Sequence, residues 1–288
     1  MEKDLIIGAF KNYNFETIKP WIQSINECGF KGDKVIVSIG SSKETNNKLA
    51  DAGFTVIDAP SQARMGFHME RFLHIYNFLK VHGNNYRYVI TTDVRDVIFQ
   101  RNPSNWLERY IGDYIGDYSM VAVSESIKIK DEHWNRQNII NAFGEYFYDG
   151  VKDQDVYNVG TLAGTSQYIE DLCGMLYQLS ANRPDWVADQ AAYNIILNWQ
   201  PYKDKTMFVG LQSTWSCNLH VTNKPGEKEH FAPFILEPVP FFEDGLVKDG
   251  TTKDPFYIVH QYDRDPVLAK FFKDKYKVED VLTFRTDV

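Results

Sequence analysis

The feature that most constrains the fold of this 288-residue chain is the alternation of apolar, β-branched runs with stretches of helical period that fills its first third. Leu5–Phe10 reads as a strand, and Phe15–Cys28 as a helix with Ile18, Trp21, Ile22 and Ile25 on one face. Gly29 stops that helix. Lys34–Ile39 reads as a second strand, Glu44–Ala52 as a short helix and Phe54–Ile57 as a third strand, closed by Pro60. A longer helix from Met69 to Val81 then leads into a fourth strand at Tyr88–Thr92. Such a β-α-β-α-β rhythm is that of a parallel sheet with helices on its faces. The expected fold class is therefore α/β, a Rossmann-like, mixed and mostly parallel central sheet flanked by helices.

The fourth strand opens abruptly into Asp93-Val94-Arg95-Asp96. Two carboxylates three residues apart, at the carboxyl end of a buried strand, can hold a hard divalent cation where open α/β sheets gather their ligands. With a diphosphate supplying further oxygens, the pair would satisfy an octahedral Mg²⁺ or Mn²⁺. The bland alternative is a strand end with two solvated acids, one of them neutralised by Arg95.

Beyond the acids the rhythm loosens. Ser119–Ser124 reads as a strand, Lys128–Asp155 as an irregular aromatic and charged region, and Tyr157–Gly164 as a short strand whose glycines admit close approach to the backbone. Helices are expected at Ser166–Ser180 and Val187–Asn198, β structure at Met207–Leu211, and a last strand at Pro255–His260. That strand delivers His260. A lone histidine is more often a structural residue, but a neutral imidazole is also a metal ligand, and one that favours Mn²⁺ over Mg²⁺. Asp189 and Gln190 sit in a helical stretch, where an acid in the first turn is favoured by the helix dipole whether or not it does chemistry. Asn158 and Thr161 around Gly160 are compatible with simple turn chemistry. Arg64 and Arg71 precede the acid-bearing strand, and Arg71 does not face Glu70, because adjacent helical side chains diverge.

The formal charge of −8 (31 basic against 39 acidic residues), without a dense basic block, excludes a nucleic-acid backbone as the main partner. Aromatics reach 15%, an abundance of flat faces for packing or for stacking on rings. Cys28, Cys173 and Cys217 lack metal-ligand spacing and are expected reduced. No basic leader or long apolar segment precedes Leu5, and nothing approaches the roughly 20 apolar residues of a membrane span, so a soluble cytoplasmic protein is expected.

The order of these signals, more than any one of them, resembles the nucleotide-sugar-dependent glycosyltransferases of the GT-A fold: a strand into an acid pair followed by Arg101-Asn102-Pro103, then Asn158-Val159-Gly160-Thr161, then Asp189-Gln190 with Asn194, then a strand ending in His260. The layout is similar to that of the glycogenin-like and lipopolysaccharide-galactosyltransferase-like enzymes and of plant xylosyltransferases, from Leu5 to about Pro266. The resemblance implies a single domain over 1–288, with a nucleotide-sugar half (1–125) and an acceptor half (126–288). It implies that Asp93, Asp96 and His260 hold Mn²⁺ (or Mg²⁺), and that Gly8, Ala9, Phe10 and Tyr13 meet uracil and ribose. Arg71, Arg95, Asn158 and Gly160 would lie along a UDP-sugar donor, with Asp189 and Gln190 near the reacting centre. Asp189 or Glu125 would orient or deprotonate the acceptor.

The chain departs from the pattern in having Asp-x-x-Asp for Asp-x-Asp, and in lacking the Gly and Lys-Pro-Trp that usually follow the histidine. Lys270 and Lys273 are the substitutes offered for that lysine. The expected activity is metal-dependent transfer of xylose or a hexose from a UDP-sugar to a hydroxyl of a glycan acceptor, with stereochemistry and oligomeric state open. The aromatic segment Trp134–Tyr148, with Trp215, Phe241 and Phe242, is expected to shape the acceptor groove. A soluble, acidic transferase suits bacterial surface-glycan synthesis or the glycosyltransferases of large chloroviruses, which include a xylosyltransferase. The rival readings are a sugar nucleotidyltransferase and a noncatalytic carbohydrate-binding protein. The first expects a Gly-rich basic loop where Gly8–Asn12 has one Gly and one Lys, and the second leaves the acid pair and histidine unexplained.

Overall fold

The structure, a computed structural model, describes residues 3–61, 66–112, 117–184 and 187–279; Arg64 falls outside them. The expected alternation is realised in β1 (Lys3–Lys11), α1 (Phe15–Glu27), β2 (Asp33–Ile39), α2 (Lys43–Asp51), β3 (Thr55–Ala59), α3 (Phe67–His82) and β4 (Tyr86–Thr92). The chain continues through β5 (Val97–Phe99), α4 (Pro103–Leu107), β6 (Met120–Lys128), α5 (His133–Phe143), α6 (Glu145–Val151), β7 (Asp155–Tyr157) and β8 (Thr161–Thr165). Next come α7 (Ser166–Ser180), α8 (Ala188–Ile196), α9 (Tyr202–Lys205), β9 (Thr206–Val209), β10 (Ser216–Asn218), α10 (His220–Asn223) and α11 (Glu227–Phe231). The last elements are β11 (Phe241–Glu243), β12 (Leu246–Lys248), β13 (Ile258–His260) and α12 (Pro266–Lys275).

The main sheet runs β3-β2-β1-β4-β8-β6-β7, with β9 beside β6. Its first four strands are parallel, and the direction reverses at β8. Successive residues of β1 serve opposite faces. Leu5, Ile7 and Ala9 pack with Phe72, Ile75 and Leu79 of α3 and with Ile169 and Leu172 of α7. Ile6 and Phe10 pack with Ile18, Trp21 and Ile22 of α1. Burial on both faces is what makes these strands near-continuous apolar runs. Local chemistry sets the ends of α1, where the Asn14 side chain accepts the Thr17 amide at 2.9 Å.

A small second sheet, β10-β13-β5, is laid against the first. The irregular region expected at Lys128–Asp155 is in fact largely helical, as α5 and α6. Its apolar residues Ile139, Ala142 and Val151 pack into a local cluster with Ala188, Ile195 and Phe231 and with Ile127 of β6 and Val156 of β7, at the edge of the main sheet. The segment read as one strand over Tyr157–Gly164 is divided between β7 and β8, with Asn158–Gly160 as the turn between them. Among the described residues no helix is long and apolar enough to cross a membrane, and all three cysteines are free.

Candidate active site

Two registers assemble the site. Thr92 at the end of β4 pairs with Thr161 at the start of β8, so the turn before β8 sits beside Asp93, whose amide donates to the Gly160 carbonyl at 2.9 Å. β13 runs antiparallel to β5 with His260 opposite Val97, which brings the imidazole next to Asp96, and the Gln261 amide donates to the Asp96 carbonyl at 2.7 Å. Asp93, Asp96 and His260 thus converge, each offering a ligand atom within 4.8 Å of the others. His260 Nε2 lies 3.4 Å from Asp93 Oδ2 and 3.8 Å from Asp96 Oδ1.

Both nitrogens of His260 are buried without a hydrogen-bond partner. Buried polar atoms are nearly always satisfied, so an orphaned imidazole facing two carboxylates is the pattern a cation would complete. Burial outweighs the neighbouring carboxylates and keeps the His260 pKa below its usual value, which favours the neutral, ligating form. Burial also opposes the charge on Asp96, but His260, Arg95 and Arg264 outweigh it and hold that carboxyl below the usual range. Gly160 leaves room for this arrangement. A Cβ there would run into the His260 ring and stand 2.9 Å from Asp93 Oδ2.

Arg71, from α3, is buried and forked: one nitrogen pairs with Asp93 and the other with Asp189 Oδ2 at 3.0 Å. Glu70 diverges from it, as adjacent helical residues do, and pairs with Lys11 at 2.9 Å. Asp189 stands in the first turn of α8. The next residue, Gln190, accepts the Val159 amide at 2.9 Å and donates to the Tyr157 carbonyl at 3.1 Å, and one turn on Asn194 holds the Tyr157 backbone by both its amide and carbonyl at 2.9 Å. Gln190 and Asn194 therefore fix the β7–β8 turn on which Asn158 and Gly160 ride.

Glu125 reaches the same space because β6 is irregular. Its register with β7 shifts between Ser124 and Lys128, and Ser126 adopts φ 62°, a bulge that re-aims the preceding side chain. Asn158 and Asn218 both donate to Glu125 Oε1, at 2.6 and 3.1 Å. Burial pushes the carboxyl up to about 7. That is a poise suited to proton transfer near neutrality.

These groups line one cavity of about 440 Å³, with Arg71, the acid triad, Glu125, Asn158 and Asp189 at one end and the start of α5 facing Lys224 and Glu227 at the other. Arg95 and Arg264 complete the cationic rim, Arg95 Nη2 at 3.4 Å and Arg264 Nη2 at 3.9 Å from Asp96 Oδ2.

Several expected residues lie elsewhere. Gly8, Ala9 and Phe10 are buried in β1 and do not line the cavity; Gly8 is demanded by packing, since a Cβ would collide with Val94 and Trp21. Tyr13, stacked on Phe10 at 6.5 Å, stands beside Arg95. Lys270 is exposed and pairs along α12 with Asp274 at 2.7 Å, and neither it nor Lys273 lines the cavity. Trp215 is fully buried against Trp106, 5.0 Å away, and Phe242 of the β11–β12 hairpin packs on Phe271 at 4.9 Å, so both are core and not acceptor groove. Arg264 and Asn218 were not singled out from sequence. The available signals were Arg264's place four residues after His260 and an Asn218 that β10 sets in register with His260.

No family model and no curated protein sequence matches the chain. Solved structures do, and they show the fold: the chain has the GT-A fold seen in glycosyltransferases. Among them is the galactosyltransferase LgtC in complex with donor and acceptor sugar analogues, at 13% identity over 96% of this chain and 97% of that one, with a TM-score of 0.55. An active-site mutant of LgtC matches at 14% identity, with the same coverage and TM-score. The bifunctional glycosyltransferase WbbM, in its apo form, matches at 12% identity over 94% of this chain, with a TM-score of 0.51; this chain spans 51% of that protein.

Proposed function

We propose that the chain transfers a sugar, xylose or a hexose, from a UDP-sugar to a hydroxyl of a glycan acceptor, with a divalent cation held by Asp93, Asp96 and His260. The observation that carries this reading is the buried imidazole with neither nitrogen bonded, set against two carboxylates at the carboxyl end of a parallel sheet. Mn²⁺ suits a site of two carboxylates and one imidazole better than Mg²⁺ does. When bound, the cation would neutralise charge growing on the UDP leaving group.

The remaining work belongs to side chains. Arg95 and Arg264, on the rim beside Asp96, supply the positive charge that a diphosphate needs and replace the absent lysine. Arg71 holds Asp93 and Asp189 in one geometry, and orientation of this kind is itself catalytic. Gln190, through its grip on the β7–β8 turn, positions Asn158 and Gly160 beside the donor sugar. Glu125, poised near pH 7, is the group best suited to receive the acceptor proton, and Asp189 the alternative.

The test is a donor screen by UDP release in the presence and absence of Mn²⁺. Metal-dependent release from one UDP-sugar, abolished by Asp96→Asn, supports the reading. Metal-dependent turnover of UTP or CTP with a sugar phosphate would make the chain a nucleotidyltransferase instead, and sugar binding without turnover a lectin-like protein.

A further inference from the structure

We infer that Trp134 is the platform on which the acceptor sugar lies, and that this sugar is a neutral pyranose; the inference rests on the reading of the chain as a UDP-sugar transferase. Of the nine large apolar side chains that are exposed among the described residues, Trp134 alone lines the cavity, with 44% of its surface open. Its indole stacks on no other ring among those residues. Most exposed apolar side chains are scattered singly and need no account, but a bare indole on a cavity wall is a flat face that a sugar ring can cover.

The platform is held still. Glu132 accepts the amides of Trp134 and Asn135 at 3.1 and 2.7 Å and the Asn135 side chain at 2.8 Å, which pins the first turn of α5. Trp134 is therefore placed by a buried carboxylate and not by crowding against its neighbours.

The chemistry around it selects against charge. Glu132 is occupied by three donors. Across the cavity Lys224 Nζ pairs with Glu227 Oε1 at 3.4 Å. Burial and the nearby Lys224 keep the His220 pKa below its usual value, so that imidazole is neutral at pH 7. The His133 ring lies stacked on Phe231 at 5.9 Å. Among the described residues this wall offers dipoles and an aromatic face but no unpaired charge, so a phosphorylated or carboxylated sugar finds no partner there in return for its lost hydration. An uncharged ring, with an apolar face for the indole and hydroxyls for the flanking amides and imidazoles, does.

The experiment measures binding by saturation-transfer NMR and isothermal calorimetry, using methyl β-glucopyranoside, β-galactopyranoside and β-xylopyranoside, with methyl glucuronide and glucose 6-phosphate as charged comparators. Wild type, Trp134→Phe and Trp134→Ala are compared, with thermal melting as the check on folding. At least one neutral glycoside is expected to bind, about tenfold weaker to Trp134→Ala and with partial recovery in Trp134→Phe. In transfer assays the acceptor KM should rise in the same order, with a smaller change in kcat. Equal binding by wild type and Trp134→Ala, no neutral glycoside bound by wild type, or preference for a charged comparator would overturn the inference. A wild type that binds neutral glycosides through Trp134 but releases UDP from no UDP-sugar would overturn the transferase reading and leave the saccharide platform standing.

Discussion

The two ends of the cavity are built on opposite principles. Around the acids, strand termini deliver Asp93, Asp96, His260 and the Asn158–Gly160 turn; arginines pair with both carboxylates, but the imidazole bonds to nothing. At the α5 end, helix turns deliver Trp134 and Lys224, and the charges there are already matched within the protein. Strand ends fixed by ladders, as at β4 and β13, hold their side chains close together without relaxing. Helix turns can satisfy their own carboxylates through backbone amides. An unsatisfied, rigid end suits an ion and a diphosphate, and a satisfied, aromatic end suits an uncharged ring.

The contrast is broken most decisively at the ion. Asp96→Asn or His260→Ala should lower Mn²⁺ affinity, measured by calorimetry, and reduce metal-dependent UDP release by about a thousandfold, because the charge stabilisation lost is several kcal/mol. Retained Mn²⁺ binding in both variants would remove the triad from the mechanism. Gly160→Ala comes next. The added methyl meets the His260 ring, with Asn158 Oδ1 2.8 Å away, and should cost about 1–3 kcal/mol in chemical denaturation while displacing the imidazole. A variant of native stability and native Mn²⁺ affinity would show that the turn has room the structure denies.

Glu125 sharpens the comparison, since it is a buried carboxylate in the same cavity that no cationic side chain pairs with among the described residues. The folded protein keeps a proton on this carboxyl up to about pH 7, whereas the unfolded chain releases it from about 4.5. The folded state therefore binds more protons in that interval, and stability must fall as pH rises from about 4.5 to about 7, then level off. The loss amounts to about 3 kcal/mol, and Glu125→Gln should abolish it in denaturation curves taken across that range. Transfer to acceptor should rise over the same upper limb if Glu125 takes the proton, and the variant should lose that limb.

A smaller effect separates the rim from the surface. Arg264→Ala should weaken UDP binding about tenfold or more, the worth of one charge-assisted contact, while Lys270→Ala on the outer face of α12 should leave it unchanged. The reverse result would return the phosphate role to α12. Smallest is the effect of Trp134→Ala on stability, expected within about 1 kcal/mol because the side chain is exposed and stacks on no other ring among the described residues.

The sequence was most informative where a residue's neighbours are set by its own strand. β1 to β4 and the acid pair could be read directly, because burial on both faces writes a continuous apolar run and the acids interrupt it. The convergence of Asp93 and Asp96 with His260 was legible only as an order of motifs, since the register of β13 on β5 is invisible in composition. The burial of Gly8, Ala9 and Phe10 is hidden for the same reason. A glycine required by Val94 and Trp21 looks, in sequence, like one required by a ligand. Trp215 and Phe242 were taken for groove residues because an aromatic ring has the same signature whether it meets a sugar or another ring. Arg264 was passed over because the expected lysine drew attention to α12. Glu125 was found, but the bulge that aims it was not, because Ser124-Glu125-Ser126 carries no mark of a positive φ.

The position of β13 has a consequence for how activity arises during synthesis. His260 reaches the acids only when β13 has slotted between β10 and β5, so a nascent chain that has already folded β1 to β4 still lacks the imidazole beside Asp93 and Asp96. The centre is withheld until the ribosome has released this late strand. A chain stopped before it would lack His260 and would leave β10 and β5 without the strand that pairs them.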